Sequence, residues 1–259
     1  MEKESSEHSV RAIERALQIL DCFDARHVDL GLTEIAQRVK LHKATTHRIV
    51  ATLMNQGYLD RSPDGQKYRL GLRLASLGSL VTSQMNLRRD SLPYLNQLSE
   101  RFGETCDLSI FDNGEVLYIE VLRSNHALSI AAAIGQRLPL HSTASGKIFL
   151  AFLPPEERAQ YLASPLPSFT TRTVTSLELL NRQFEEILEK GYSVDDEEME
   201  VGIRAVSAPV FNQAGKVIAA VSIPSPTSRM SEKRLSEIAA GLLGTAAECS
   251  RRQGWNSDK

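Results

Sequence analysis

Cysteine is scarce in this chain, and its few cysteines are badly spaced for a disulfide framework. The 259 residues contain three, Cys22, Cys106 and Cys249, an odd number at wide separation. That pattern matches neither paired disulfides nor the short ligand spacings of a zinc site, and it suits a reducing compartment. We expect each cysteine to be a small buried apolar residue, and we expect no metal site.

Long apolar runs are absent as well. No stretch approaches the roughly eighteen apolar residues that a membrane-spanning helix needs. The first ten residues, MEKESSEHSV, are polar and acidic, unlike the basic and then apolar order of a secretory signal peptide. These absences predict a cytoplasmic protein that has no membrane partner.

Signatures of catalysis are missing too. The sequence has no GxSxG elbow, no P-loop, no HExxH and no GxGxxG after a predicted strand. His126 and His141 are too few and too far apart to indicate a metal site. The acidic run at 195–198 offers general acids or bases, but no second reactive group accompanies it, and such a run is typical of a solvated turn. We therefore predict that the chain is not an enzyme and needs no cofactor.

The length of the chain favours two domains. At 259 residues it exceeds the usual single-domain size, and its hydrophobic content of 42% is enough for two cores.

Residues 32–59 contain the pattern on which the functional interpretation rests. They predict a short helix, a tight turn and a longer helix over about residues 43–56. At about 100° per residue, the apolar stripe of the longer helix comprises Thr46, Ile49, Val50 and Leu53. The opposite side combines small residues with groups that suit phosphates and base edges, namely Ala44, His47, Arg48, Ala51 and Asn55. This is how the second helix of a helix-turn-helix is built.

A basic hairpin is predicted directly after these helices. Apolar–polar alternations at 58–61 and 67–70 flank the sequence SPDGQ. Pro-Asp-Gly is a turn signal, because proline presets φ and glycine tolerates positive φ. A hairpin in this place is a wing, and its polar side chains are expected to hold the DNA backbone beside the groove.

The charge of this region supports DNA binding. Between Ala36 and Arg73, eight lysines and arginines stand against two aspartates, in a chain whose net charge is −2. Attraction to phosphate needs a positive patch rather than a positive protein. The alternative is an ordinary amphipathic helix pair with a solvated charged face, but acidic residues are nearly absent only here. We predict double-stranded DNA as the partner, contacted by Thr33, Lys43, Ala44, Thr45, Thr46, His47, Arg48, Arg61, Gln66, Lys67 and Arg69.

The rest of the chain mixes strand and helix signals. Hairpins are predicted about Asp112-Asn113-Gly114 and about residues 212–215, with a further strand at 128–134, a helix at 93–102 and another that starts with a capping box at 175–178 and ends at Lys190. Together they predict an α+β domain with a mainly antiparallel sheet. Residues 141–147, HSTASGK, open another helix, whose free backbone N–H groups suit an anionic group. The alternative is a plain helix cap provided by Ser142 or Thr143.

Several motifs together resemble the IclR-type bacterial transcriptional regulators. The N-terminal part matches at AIERAL, TEIA, KATTHR, GYL and YRLG. The C-terminal part matches at LPLHSTASGKIFLAFL, GYSVDDEEMEVGIRAVSAPVF and AAVSIPSPTSRM, so the match runs in order from about residue 10 to residue 250. One departure is Ala44, at a position that is usually serine in this family, so one hydroxyl contact to DNA is absent.

The resemblance implies three parts and an effector. They are a winged helix-turn-helix domain over residues 9–72, a linker helix over 73–90 and a GAF-like α+β effector-binding domain over 91–252. It also implies a homo-oligomer, formed as a dimer through the DNA-binding domains and often as a tetramer. In relatives the effector, a small organic or aromatic acid, lies against segments that match Ser142, Thr143, Ala144, Ser145, Gly146, Asp195, Ala205, Ser222 and Pro224.

Two departures from relatives bear on that effector. Ala205 stands where some relatives carry cysteine, and Pro224 where some carry serine, so the resemblance implies a less polar pocket. The carboxylate of the acid is expected near Ala144, at the helix N-terminus.

The sequence thus predicts an effector-responsive transcription factor, with repression favoured over activation, whose recognition helix enters the major groove. Two alternatives remain, a ligand-sensing GAF-like enzyme and an architectural DNA binder without a ligand. Against the architectural role, roughly 180 residues follow the winged domain, far more than dimerisation requires.

Overall fold

The structure is a computed structural model, and it describes residues 10–24, 26–84, 86–126, 130, 132–163 and 165–256. The chain divides into two compact units, Met1–Gln84 and Met85–Lys259, and each has its own core. Within the described ranges, no helix is long and apolar enough to cross a membrane.

The N-terminal unit is a set of helices with one small hairpin. Its elements are α1 (Arg11–Leu20), α2 (Leu32–Arg38), α3 (Lys43–Asn55), β1 (Leu59–Arg61), β2 (Tyr68–Leu70) and α4 (Leu72–Gln84). The first three helices and the hairpin share one core, built from Ile19, Phe23, Leu30, Ile35, Val50, Leu53, Leu59 and Tyr68. This arrangement confirms the predicted winged helix-turn-helix.

Short local contacts fix the geometry of that fold. The Glu34 carboxylate accepts a hydrogen bond from the Gly31 N–H at 2.6 Å, which satisfies one of the free donors at the start of α2. Between α2 and α3, Lys40 has a φ of 52°, and Leu41 N–H donates to the Ala36 carbonyl at 3.0 Å. These bonds close the turn tightly and set the direction of α3.

The C-terminal unit is built on one sheet. Its first part contains α5 (Asn86–Phe102), β3 (Cys106–Asp112), β4 (Glu115–Leu122), β5 (Arg137–Leu138), α6 (Ala144–Phe152) and α7 (Pro155–Leu162). Then follow α8 (Leu177–Lys190), β6 (Ser193–Asp196), β7 (Ile203–Phe211), β8 (Val217–Pro226), a 3-10 turn (Thr227–Arg229) and α9 (Glu232–Arg252). Among the residues that the structure describes, six strands lie in the order β5-β4-β3-β8-β7-β6, with every pairing antiparallel. The predicted α+β class is confirmed.

Helices cover both faces of this sheet. One face packs against α5 and α9 through an apolar core that includes Cys106 and Leu108 of β3. The other face packs against α6, α7 and α8, and its core includes Tyr118 of β4 and Ala220 of β8. Because successive strand residues point to opposite faces, Asp107 lies on the α6 side.

Two local predictions differ from the structure. A helix was expected to begin at Pro93, but α5 already begins at Asn86 and Pro93 lies inside it. Pro93 is exposed, so water can satisfy the carbonyl that loses its helical partner. The strand expected at 128–134 lies partly outside the described residues. Its described part, Ile130 and residues 132–134, forms no strand, and β5 (Arg137–Leu138) pairs with β4 instead.

A linker helix is predicted over residues 73–90. This part of the chain contains α4 and the start of α5. The two units meet in sequence between Gln84 and Met85.

Candidate DNA-binding surface and effector site

Helix α3 turns one side to the core and the other to solvent. Val50 and Leu53 are buried in the core of the N-terminal unit. On the opposite side Lys43, Ala44, His47, Arg48 and Asn55 are exposed, and Thr45 is half-buried. No acidic residue occurs in α3, so this outer face is positive and has small side chains at its start.

Thr46 does not belong to that face. Its side chain is 0% exposed, and its hydroxyl donates to the His42 carbonyl at 3.2 Å. Since Thr46 lies on the core side of the helix, it is removed from the set of predicted DNA contacts.

The wing is ordered by its turn. The Ser62 hydroxyl donates to the Asp64 carboxylate at 2.6 Å and accepts from the Lys67 N–H at 2.9 Å. Gly65 has a φ of 70°, a conformation that glycine adopts without a steric cost. Strand β2 is also tied to the body of the unit, because Tyr68 and Leu30 exchange two backbone hydrogen bonds of 2.9 Å.

The polar side chains of the wing differ in how they are held. The Arg61 guanidinium lies 4.4 Å from the centre of the Tyr68 ring and donates to the Gly65 carbonyl at 3.0 Å. Arg69 lies 3.7 Å from the Asp60 carboxylate. Gln66 and Lys67, at the tip, are exposed. Thr33, the second residue of α2, is exposed as well.

The N-terminus of α6 is closed by a side-chain cap. The Thr143 hydroxyl accepts from the Gly146 N–H at 3.2 Å and donates to the Pro139 carbonyl at 2.7 Å. A β-carbon on Gly146 would approach the Leu140 carbonyl oxygen to 2.2 Å, so only glycine fits where these backbones meet. Thr143 is therefore the helix cap. The sequence had offered such a cap, from Ser142 or Thr143, as the alternative to an anion-binding site.

The other predicted effector residues of this segment are buried. Ser142, Ala144 and Ser145 are each at most 3% exposed. The Ser142 hydroxyl lies 3.6 Å from the Met199 sulfur, and the Ser193 hydroxyl donates to the Ala144 carbonyl at 2.6 Å. The start of α6 is thus joined directly to β6 and the segment that follows it.

Asp195, on β6, is also buried. Its Oδ1 accepts from the Glu198 N–H at 2.7 Å. Burial raises the pKa of Asp195 to about 7, although the Glu198 N–H and the nearby Lys147 ammonium favour the charged form. The carboxyl therefore titrates near neutral pH.

Strand pairing places the remaining predicted residues on neighbouring strands. Asp195 pairs with Ala205, and Ala205 pairs with Pro224. Ser222, two residues before Pro224 on the same strand, is buried. Because residues two apart share a face of a strand, Asp195, Ala205, Ser222 and Pro224 lie on the face covered by α6.

Three polar residues on this face were not found from the sequence. Asp107 pairs with Ser222, and Ser222 pairs with Ser207, whose hydroxyl lies 3.0 Å from that of Ser222. Burial raises the pKa of Asp107 to about 8, and the neighbouring Ser222 hydroxyl offsets part of that rise. Tyr118 is buried beside them, and its pKa is raised by burial and by the carboxyls of Asp107 and Asp195. The sequence signal that could have found these residues is their position as polar residues inside predicted, largely apolar strands.

A buried ion pair also went unpredicted. Lys147 of α6 pairs with Glu198, and both side chains are buried. Lys147 also donates to the Val194 carbonyl at 3.2 Å, and the other Glu198 oxygen accepts from the Val174 N–H at 3.2 Å. The acidic run that reads as a solvated turn is in fact anchored to α6 through Glu198.

A separate apolar pocket of about 210 Å³ lies near the C-terminal end of α6. None of the predicted effector residues lines it; its walls are formed by Phe111, Phe149, Phe152, Leu153, Pro154, Glu157, Gly215, Lys216 and Val217.

The sequence matches two family models that together cover most of the chain. Residues 12–63 match the IclR helix-turn-helix domain, and residues 79–251 match the C-terminal domain of the bacterial transcriptional regulator IclR. The second match alone covers more than half of the chain.

Individual relatives give the same result. The HTH-type transcriptional regulator XynR of Escherichia coli (strain K12) is 37% identical over 247 residues, which cover 95% of this chain and 98% of XynR. The transcriptional repressor IclR of the same strain is 31% identical over 248 residues, covering 95% of this chain and 90% of the repressor. The prediction that the chain is not an enzyme agrees with these names.

A solved structure extends the likeness to the fold. The crystal structure of an IclR homologue from Microbacterium hydrocarbonoxydans, complexed with 4-hydroxybenzoate, superposes with a TM-score of 0.83 at 30% identity. The match covers 94% of this chain and 99% of the homologue. With both family models, the relatives and the fold in agreement, the chain belongs to the IclR family of DNA-binding bacterial transcriptional regulators.

Proposed function

We propose that this regulator is a repressor whose affinity for its operator is changed by a small organic acid bound in the C-terminal unit. The observation that carries the proposal is the pairing, in one chain, of an exposed positive recognition helix with a buried set of polar residues beside a helix N-terminus. Each feature suits a different ligand, one a nucleic acid and the other a small anion.

For DNA, the outer face of α3 is the proposed groove-reading surface. Exposed Lys43, His47 and Arg48 supply donors for base edges and phosphates, and the small side chain of Ala44 permits close approach. Thr45 lies at the edge of that surface, half-buried. We assign Thr33, in the first turn of α2, to a phosphate contact.

The wing is the proposed backbone clamp. Lys67 and Gln66, exposed at its tip, are the members best placed to reach phosphate. Arg61 and Arg69 already have partners in the protein, and they would have to exchange those partners for phosphate. Their contribution to DNA affinity is therefore proposed to be smaller.

For the effector, the α6 side of the sheet is the proposed site. The segment 142–146, together with Asp195, Ala205, Ser222 and Pro224, brings backbone donors and hydroxyls to one buried face. A carboxylate suits the first turn of α6, since helix N-termini attract anions. The homologue crystallised with 4-hydroxybenzoate supports an acid as the class of ligand.

An exposed apolar stripe supports a homo-oligomer. Val10, the residue before α1, and Ile13 and Leu17 on α1 are 57%, 59% and 55% exposed, and they follow one another at helical spacing. Apolar side chains grouped in this way on a surface mark a site of association. We propose a dimer through this stripe, which would present two recognition helices to a two-fold operator.

Repression is proposed because one of the relatives, IclR of Escherichia coli, is named a repressor. We propose a cytoplasmic location, because the DNA that this regulator would bind lies in the cytoplasm.

The proposal is tested by gel-shift titration of the full chain against DNA from upstream of its own gene. Specific binding that weakens at higher salt is expected, because phosphate contacts release counterions. Fusion of that DNA to a reporter then distinguishes repression, in which deleting the regulator raises expression, from activation, in which deletion lowers it. Binding no tighter than to competitor DNA would contradict the proposal.

A further inference from the structure

Asp107 stands out among the polar residues of the C-terminal unit. Its side chain lies on β3 and is 1% exposed. Its Oδ1 is buried and has no hydrogen-bond partner within the part of the chain that the structure describes. A buried polar atom without a partner costs free energy that a ligand can recover.

The position of Asp107 connects it to the proposed effector site. It pairs across the sheet with Ser222. The carboxyls of Asp107 and Asp195 both help to raise the pKa of Tyr118. The carboxyl thus belongs to the same polar face as the residues proposed for the effector, although no motif in the sequence singles it out.

We propose that Asp107 is a specificity-determining residue of the effector site, and that its Oδ1 hydrogen-bonds a hydroxyl group of the effector. The inference rests on the proposed function and narrows it, because it makes the effector a hydroxy acid rather than an unsubstituted acid. In this arrangement the carboxylate of the effector lies at the start of α6, and the hydroxyl of the effector lies at Asp107 on β3.

The chemistry of the carboxyl favours a hydroxyl over other polar groups. Burial raises the pKa of Asp107 to about 8, so its carboxyl carries a proton in much of the population at neutral pH. A hydroxyl both donates and accepts, so it pairs with the carboxyl in either protonation state. A second carboxylate of a ligand accepts only, and it would be repelled by the ionised form of Asp107.

The test is isothermal titration calorimetry of the full chain with matched acids that differ in hydroxylation. The probes are propionate and lactate, benzoate and 4-hydroxybenzoate, and hexanoate and gluconate. In at least one pair, the hydroxylated acid is expected to bind about tenfold or more tightly, the gain of a hydrogen bond to a buried partner.

Variants of Asp107 assign that preference to its carboxyl. Asp107→Leu is expected to remove the preference, because it removes the buried Oδ1 acceptor. Asp107→Asn keeps an acceptor and a donor, and it is expected to keep at least part of the preference. Ser109→Ala, on the same strand and face, is the control and is expected to leave it unchanged. Asp107→Ala replaces the leucine variant if that protein does not fold.

The outcomes separate the inference from the function on which it rests. Equal affinities for both members of every pair, or a preference that survives in Asp107→Leu or Asp107→Ala, would overturn the role of Asp107 and leave an acid effector in place. Binding of none of the acids by the wild-type chain would overturn both.

Discussion

Lys147 and Glu198 form an ion pair whose side chains are only 1% and 5% exposed. Lys147 lies in the first turn of α6, next to the segment 142–146, and Glu198 lies three residues after Asp195. The pair therefore joins the two segments that contain most of the proposed effector residues. Because two buried charges are stable only while each has its partner, this pair is a sensitive point in the C-terminal unit.

Removing one partner is expected to destabilise that unit. Lys147→Met should lower the free energy of unfolding by roughly 3–5 kcal/mol, because Glu198 is left buried and unpaired. Urea unfolding followed by tryptophan fluorescence measures this, since Trp255 is the one tryptophan and stacks on Phe211 at 5.1 Å in the C-terminal unit. Arg182→Met, which breaks the exposed pair with Glu178, is the control and should cost at most about 1 kcal/mol. Equal costs for the two variants would contradict the account.

On the recognition helix, Arg48→Ala is expected to weaken operator binding by roughly 1–3 kcal/mol, the value of a bidentate contact to a base. Fluorescence anisotropy with labelled operator DNA measures the change. Arg182→Ala removes the same charge from an exposed site on α8 and controls for net charge. An unchanged affinity in Arg48→Ala would show that Arg48 makes no such contact.

For the proposed dimer, Ile13→Glu places a charge in the exposed apolar stripe of α1. The dimer is expected to dissociate at least about tenfold more readily, because a charge buried in an apolar interface loses its hydration. Light scattering coupled to size-exclusion chromatography over a dilution series gives the dissociation constant. Val28→Glu changes an equally exposed apolar residue of the same unit, 60% exposed, and should leave it unaltered. A dimer that survives Ile13→Glu would place the interface elsewhere.

Stability is expected to depend on pH through two buried carboxyls. Burial raises the pKa of Asp107 to about 8 and that of Asp195 to about 7, from an ordinary value of 3.8. Between about pH 4 and pH 8 the native unit therefore binds more protons than the unfolded chain. Its free energy of unfolding should fall as pH rises through that window, by up to about 1 kcal/mol per pH unit for each carboxyl.

The Asp195→Asn variant isolates one of these carboxyls. Its amide oxygen can still accept from the Glu198 N–H, but the side chain no longer titrates. Urea unfolding at pH 5, 6 and 7 should give a shallower loss of stability than in the wild type. Parallel pH profiles would mean that Asp195 does not titrate in this range.

Local sequence signals predicted much of the fold correctly. The helix predicted from a capping box at 175–178 to Lys190 is α8, which begins at Leu177 after the N-cap residue Ser176 and ends before Gly191. The predicted hairpin about Asn113-Gly114 is the connection of β3 and β4. On α3, the helical period separated Val50 and Leu53 from the outer face. In each case the relevant information lies within a few neighbouring residues.

Contacts between residues that are far apart in the chain could not be predicted from the sequence. Lys147 and Glu198 are 51 positions apart, and no periodicity links a lysine in one helix to a glutamate after a distant strand. Asp107 reads as a strand residue of ordinary polarity until the pairing with Ser222 is known. Thr46 is a different error: the helical period already placed it in the apolar stripe with Val50 and Leu53, but its hydroxyl was also assigned to DNA, and its burial decides for the core.

Reciprocal titration of the full chain tests whether an acid in the C-terminal unit changes operator affinity. Operator affinity is measured without acid and at saturating acid, and acid affinity is measured with and without operator, using the tightest-binding acid of the three pairs. We expect acid to weaken operator binding by the same factor by which operator weakens acid binding, since the two share one coupling free energy. An operator affinity that does not change at saturating acid would contradict this expectation.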